Sequence, residues 1–175
     1  MYILSKNFRE FTQNIKSENN SVNEIISIVL SEDATIEKLK EYLLGNVGVL
    51  EMVKNSALDY LLLYAYDTLK DDCITEKELN DFIALKKIFS IKEEDFINYK
   101  EFEVQEILKQ QFIRMYSDKF IDNQEAITQV NLQIMFDLSY DKFEDFKKEE
   151  VILALINGAD PRNLDISTLP KGFVL

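Results

Sequence analysis

The sequence predicts an all-α fold, a bundle of about seven or eight helices without a sheet. Of its 175 residues, 46% are hydrophobic, enough for a compact domain with a core. It contains only four glycines and two prolines. Sheets and tight hairpins depend on such turn residues, so their scarcity favours long helices with short connections. Nine identities also recur at a fixed offset of 47 residues, which predicts a helical unit used twice.

Three short helices are predicted at the N-terminus. Bulky apolar residues at helical spacing indicate the first helix, within residues 5–17. Ser21 and Glu24 have the spacing of a capping box that opens the second helix. Thr35 is the predicted N-cap of the third helix, and Gly45 is its predicted left-handed C-cap.

The fourth helix is predicted to be long, from about residue 49 to 70, and largely buried. It is too apolar on every side for a surface helix. Its predicted core residues are Leu58, Leu61, Leu62, Tyr64 and Ala65. Tyr60 and Phe82 share this core spacing, which favours packing over a ligand-binding aromatic box.

Capping boxes also predict where the fifth and sixth helices begin. Thr75 with Glu78 opens a helix that runs to about residue 89. Ser90 with Glu93 has the same pattern and predicts a long helix towards residue 116.

Two further helices and a tail complete the predicted chain. Asp122 is the expected N-cap of the seventh helix, with Glu125 at its third position. The eighth helix covers about 140–157 and is closed by Gly158. We expect residues 158–175 to form an irregular C-terminal tail.

The internal repeat relates residues 58–103 to residues 105–150 without a gap. Identical pairs are Leu61/Leu108, Asp71/Asp118, Ile74/Ile121, Glu78/Glu125, Leu85/Leu132, Phe89/Phe136, Phe96/Phe143, Lys100/Lys147 and Glu103/Glu150. These pairs predict two helical units packed about a pseudo-twofold axis. We therefore expect a single domain, 1–175, with N-terminal helices in 1–57 and a repeated core in 58–157.

The repeated turn, Asp-x-x-Ile-x-x-x-Glu, has a structural interpretation. The aspartate would start the turn, and Ile74 or Ile121 would anchor it in the core. Thr75 or Asp122 would cap the following helix, while the glutamate returns to the cap backbone.

A weak divalent-cation site is the alternative interpretation of the first turn. Its candidate ligands are Asp67, Asp71, Asp72 and Glu78. A complete calcium loop needs an oxygen at position 3 and glycine at position 6. Counted from Asp67, these positions hold Leu69 and Asp72, so the ligand set is incomplete.

The two turns, "DDCITEKE" and "DKFIDNQE", resemble the acidic turns of the TerB-like family, the tellurite-resistance group that includes the N-terminal module of DjlA-type co-chaperones. The segments "IFSIKEEDF" and "MFDLSYDKF" resemble the family segment that opens the next helix. The resemblance covers about residues 58–150, and Asp72 and Lys119 stand where the family has glycine. It implies an all-α fold, an acidic surface, no known catalytic machinery, and a divalent-cation or protein-binding role.

The charge balance restricts the partners. The net charge is −12, and residues 101–150 alone carry −6. Phosphate backbones and anionic membrane surfaces need neutralising cations, so nucleic acid and membrane binding are disfavoured. Basic proteins and divalent cations are the partners that this field attracts.

The sequence also predicts a cytoplasmic protein. Cys73 is the only cysteine, so no internal disulfide can form. The N-terminus has no apolar leader pattern, and the most apolar run is too short to span a bilayer.

Catalysis is not expected, and no cofactor is predicted beyond a weakly bound divalent cation. The chain has no histidine and no glycine-rich phosphate loop. Glu78 and Asp81 share one helical face, which we interpret as a solvated edge. The sequence therefore favours a non-enzymatic protein-interaction module. The alternative is an immunity protein that neutralises a basic bacterial toxin.

Overall fold

A computed structural model describes residues 3–166, which contain eight α-helices and no strand. The helices are α1 (Lys6–Asn14), α2 (Asn20–Leu30), α3 (Ile36–Gly45), α4 (Val49–Thr68), α5 (Glu76–Ile88), α6 (Asp95–Met115), α7 (Asn123–Met135) and α8 (Tyr140–Ile156). A short 3₁₀ helix, Pro161–Asn163, follows α8. The predicted all-α fold is confirmed. Within the predicted tail, residues 167–175 lie outside the described residues.

The described chain divides into two compact units. Unit 1 holds the residues up to Asp71 together with Thr75–Asp95, and unit 2 holds Asp72–Ile74 together with the residues from Phe96 onward. Unit 1 therefore contains α1 to α5. Unit 2 contains α6 to α8 together with residues 72–74 of the turn between α4 and α5. The single domain and the pseudo-twofold packing stay predictions.

The core of unit 1 surrounds α4, which contacts α1, α2 and α5. Phe8 and Phe11 of α1 lie against Tyr60 and Tyr64 of α4, with ring centroids 5.0–5.4 Å apart across the two helices. All five predicted core residues of α4 are buried. Burial of such large side chains is the main stabilising contribution to the unit.

The core of unit 2 is also aromatic. Phe96 packs edge-on against Phe136, and Phe112 packs edge-on against Phe143, with both centroid distances at 5.3 Å. Helix α6 contains one residue with non-helical torsion angles, Lys100, at φ −141° and ψ 28°.

Two predicted helix starts, at Ser21 and at Ser90, are wrong. Helix α2 begins after Asn19, whose side chain accepts a hydrogen bond from the Ser21 N–H at 3.0 Å. Ser21 is therefore inside the first turn, and Glu24 instead accepts from the Tyr42 hydroxyl at 2.7 Å. Ser90 does not cap a helix either, because α6 begins only at Asp95.

The predicted left-handed C-cap at Gly45 is also wrong. Gly45 is the last residue of α3, and the left-handed glycine is Gly48, at φ 80°, directly before α4. By contrast, Thr35 caps α3 as predicted, and Gly158 follows α8 at φ 89°.

Candidate functional site

The first repeated turn is held by a complete capping box. The Glu78 carboxylate accepts hydrogen bonds from the Thr75 N–H at 2.9 Å and from the Thr75 hydroxyl at 2.7 Å. The Glu78 N–H donates back to the Thr75 hydroxyl oxygen at 3.3 Å. The structure therefore confirms the predicted cap.

The second turn repeats this arrangement in unit 2. The Asp122 N–H donates to the Glu125 carboxylate at 2.9 Å, and the Glu125 N–H donates to the Asp122 carboxylate at 2.8 Å. Partial burial raises the pKa of Glu125, and the bond from the Asp122 backbone opposes that shift. Both glutamates thus satisfy helix N-termini rather than projecting as free ligands.

The two isoleucines are buried as predicted. Ile74 is 2% exposed and Ile121 is 9% exposed. The Asn131 side chain donates to the Ile74 carbonyl oxygen at 3.1 Å, and the Ile121 N–H donates to the Asn163 carbonyl oxygen at 2.7 Å. Backbone bonds therefore reinforce the apolar anchor in both turns.

Backbone geometry also recurs at the offset of the repeat. Asp72 and Lys119 both adopt left-handed torsion angles, at φ 61° and 67°. So do Ser90 and Asp137, at φ 54° and 51°, directly after the C-caps of α5 and α7. This conformation is rare outside glycine. At Ser90 and Asp137 it closes the helix by a Schellman motif, in which the next N–H returns to the helix at 2.8 Å and 3.0 Å. The sequence did not signal it at Ser90, because serine is also a good N-cap.

The candidate metal ligands have protein partners of their own. Asp67 forms an ion pair with Lys70, and Asp72 forms one with Arg114. Glu78 is almost fully buried, caps α5, and also accepts from the Asn7 side chain at 3.1 Å. Asp71 is exposed in the turn that connects α4 to α5. Within residues 3–166, no group of three or more His, Cys, Asp or Glu side chains is arranged to hold a metal ion.

The predicted solvated edge at Asp81 is wrong. Asp81 is only 2% exposed, and its carboxylate accepts hydrogen bonds from the Ser5 N–H at 2.8 Å and the Tyr64 hydroxyl at 2.9 Å. The Ser5 hydroxyl also donates to it. Burial, reinforced by the neighbouring Asp81 charge, raises the pKa of Tyr64. This cluster fixes the start of α1 against α4 and α5 inside unit 1.

A buried polar cluster in unit 2 was not predicted. Lys147 is 4% exposed, and its ammonium group lies 2.6 Å from the Glu144 carboxylate and 3.4 Å from the Gln129 amide oxygen. The Thr128 hydroxyl and the Gln129 amide nitrogen are buried without a hydrogen-bond partner among the described residues. Lysine is rarely buried, so composition and periodicity gave no signal for this arrangement.

Aromatic side chains of α6 and α8 are exposed beside carboxylates. Phe102 is 71% exposed and stands between Glu101 and Glu103 in the sequence, and Tyr99, on the other side of the non-helical Lys100, is also exposed. Tyr140 is exposed at the start of α8. We call these three aromatic residues, together with Glu103 and Asp141, the α6–α8 surface.

An ion pair joins the two helices of this surface. Lys142 of α8 pairs with Glu101 of α6, the residue that precedes Phe102 in the sequence. Helical periodicity did not single out Phe102, since most phenylalanines within residues 3–166 are buried. The flanking glutamates were the one available signal of exposure.

Comparisons with known proteins add no relative. No family model matches the chain, and no curated protein or solved structure is similar enough to be matched. No helix within residues 3–166 has the length and apolar character needed to cross a bilayer.

Proposed function

We propose that the protein is a non-enzymatic, cytoplasmic interaction module of TerB-like type, which binds a basic protein partner through the α6–α8 surface. The observation that carries this proposal is Phe102, a large aromatic side chain that is 71% exposed between two glutamates. Exposed aromatic residues are typical anchors of protein interfaces. Their acidic neighbours favour a partner with lysine or arginine around an apolar pocket.

The charge of unit 2 supports the same partner chemistry. Residues 101–150 carry −6, of which −3 lies on α6 and α8, the helices that present the surface, and −3 on α7 and the connecting turns. A field of this sign accelerates the approach of a basic protein and repels acidic ones. Affinity would then come from burial of the aromatic residues, because exposed ion pairs contribute little on their own.

The turn geometry supports the TerB-like resemblance. The family has glycine at the second position of each acidic turn, and Asp72 and Lys119 occupy these positions with left-handed torsion angles. Glycine adopts this conformation at least cost. A left-handed backbone at these two positions is the conformation that a glycine there would favour, and this supports the proposed resemblance.

The test uses a fluorescent amphipathic helical peptide of lysine and leucine, with a glutamate–leucine peptide of the same pattern as its control. Anisotropy in near-physiological salt should show saturable binding of the basic peptide alone. Phe102→Ala should weaken it about tenfold, as loss of an anchor does, and Glu103→Gln should weaken it by about threefold.

Two matched variants in unit 1 control for general effects. Met52 is 74% exposed, and Glu41 is an exposed helical glutamate, so Met52→Ala and Glu41→Gln change the same residue character elsewhere. Both should bind like the unaltered protein. Equal losses in all four variants, or equal binding of the acidic peptide, would contradict the assigned surface.

The immunity-protein alternative uses the same chemistry, since its partner would be a basic toxin. A toxin gene directly upstream would assign the partner to that class, whereas a stress-response neighbourhood would favour the TerB-like role.

A further inference from the structure

Unit 1 contains a cavity of about 210 Å³ between α2, α3, α5 and the start of α4. Its apolar wall includes Val29, Leu39, Leu43, Leu50 and Ile88. Helix α3 has no fully buried residue, although leucines recur along one side of it. The reason is that this side lines an open cavity instead of a packed core.

The polar part of the cavity lining is basic. Lys40 and Lys87 line it and are both exposed, and the structure pairs neither of them with a carboxylate within residues 3–166. Thr35 and Ser90 add hydroxyl groups. Although the chain has a net charge of −12, both charged side chains that line this cavity are lysines.

The size of the cavity limits its ligand. An apolar cavity of about 150 Å³ takes benzene, with six carbons. By the same ratio, about 210 Å³ accommodates roughly eight carbon atoms. Sites for drug-sized ligands begin near 300 Å³, so a larger molecule would not be enclosed.

We propose that this cavity binds a small amphipathic anion, an aliphatic carboxylate of about eight carbons. Its chain lies against the leucines of α3, and its carboxylate meets Lys40 and Lys87. This site is independent of the α6–α8 surface, because all of its residues belong to unit 1.

Titration calorimetry with hexanoate, octanoate and decanoate, each below its micelle concentration, tests the apolar part. Each added methylene should strengthen binding by about fourfold up to octanoate, because each is removed from water. Decanoate should gain much less, since its last carbons extend beyond the cavity. Ala34→Leu places extra carbons in the lining and should abolish octanoate binding, with circular dichroism confirming that the variant is folded.

The basic part is tested by charge removal. Lys40→Gln and Lys87→Gln should each weaken octanoate binding by about three- to fivefold, as expected for exposed ion pairs, and leave 1-octanol binding unchanged. Lys77→Gln is the matched control, because Lys77 is an exposed lysine of α5 outside the cavity. Absence of saturable octanoate binding up to millimolar concentration would overturn the proposal. Octanoate binding that is unchanged both in the double variant Lys40→Gln/Lys87→Gln and in Ala34→Leu would also overturn it.

Discussion

Removal of one hydroxyl group, in Tyr64→Phe, tests the buried Asp81 cluster. The Tyr64 hydroxyl donates to the Asp81 carboxylate at 2.9 Å, and both residues are buried. The substitution leaves the aromatic packing intact, so the loss is that of one hydrogen bond to a buried charged group. Such bonds contribute about 1.5–3 kcal/mol, whereas Ser5 still supplies two donors to Asp81. We therefore expect the free energy of unfolding to fall by about 2 kcal/mol.

Tyr60→Phe is the matched control for this prediction. Tyr60 lies on the same helix and is equally buried, but the structure shows no hydrogen bond from its hydroxyl to another described residue. Its substitution should change the free energy of unfolding by less than about 0.5 kcal/mol. Urea unfolding followed by circular dichroism at 222 nm measures both values. Equal destabilisation by the two variants would refute the assignment of the hydrogen bond to Asp81 as the stabilising contact.

Three further predictions concern the turns, the buried tyrosines and calcium. Ile74→Ala and Ile121→Ala should each lower the free energy of unfolding by about 2–5 kcal/mol, and unchanged urea midpoints for both would contradict their role as anchors. Burial raises the pKa values of Tyr60, Tyr64 and Tyr116 above their ordinary value of 10.0. The folded chain therefore retains protons on these hydroxyl groups that the unfolded chain releases. Stability should therefore fall above pH 10, by up to about 1.4 kcal/mol per pH unit for each tyrosine, and a flat profile to pH 12 would refute this. Calcium should bind no tighter than about 10⁻⁴ M in calorimetry; micromolar 1:1 binding that is lost in Asp71→Asn and kept in Asp118→Asn would show a true cation site.

Capping boxes were predictable where only one residue could serve as the cap. Thr75 and Asp122 each follow a buried isoleucine, and each has a glutamate three residues later; Asn123, beside Asp122, has Ala126 at that spacing and cannot complete a capping box. Ser21 failed because Asn19 caps two residues earlier. Ser90 failed because the Ile91 N–H returns to the Lys86 carbonyl oxygen at 2.8 Å and ends α5. The local pattern does not show which of two possible cap residues the helix uses, or whether a residue ends one helix or begins the next.

The candidate sites were less predictable because they depend on which helices meet. Phe102 and Phe112 lie on the same helix, yet the first is exposed and the second is fully buried. The leucines of α3 have the spacing of core residues, but they line a cavity. Periodicity identifies an apolar side of a helix, whereas only the packing of neighbouring helices decides what covers it.

Differences between the two repeated segments separate structural residues from functional ones. Helices α5 and α7 both begin with a capping box and are both followed by a left-handed residue at the equivalent position, Ser90 or Asp137. We therefore interpret these shared features as structural. Their outward faces differ: Asn80 and Lys87 of α5 correspond to Ile127 and Ile134 of α7 at the same offset, and all four are exposed. A cation-binding function shared by both turns would have to tolerate Arg114, which occupies in the second copy the position of Asp67 in the first. A function located on the faces needs no such symmetry, because each unit presents its own chemistry on a common helical frame.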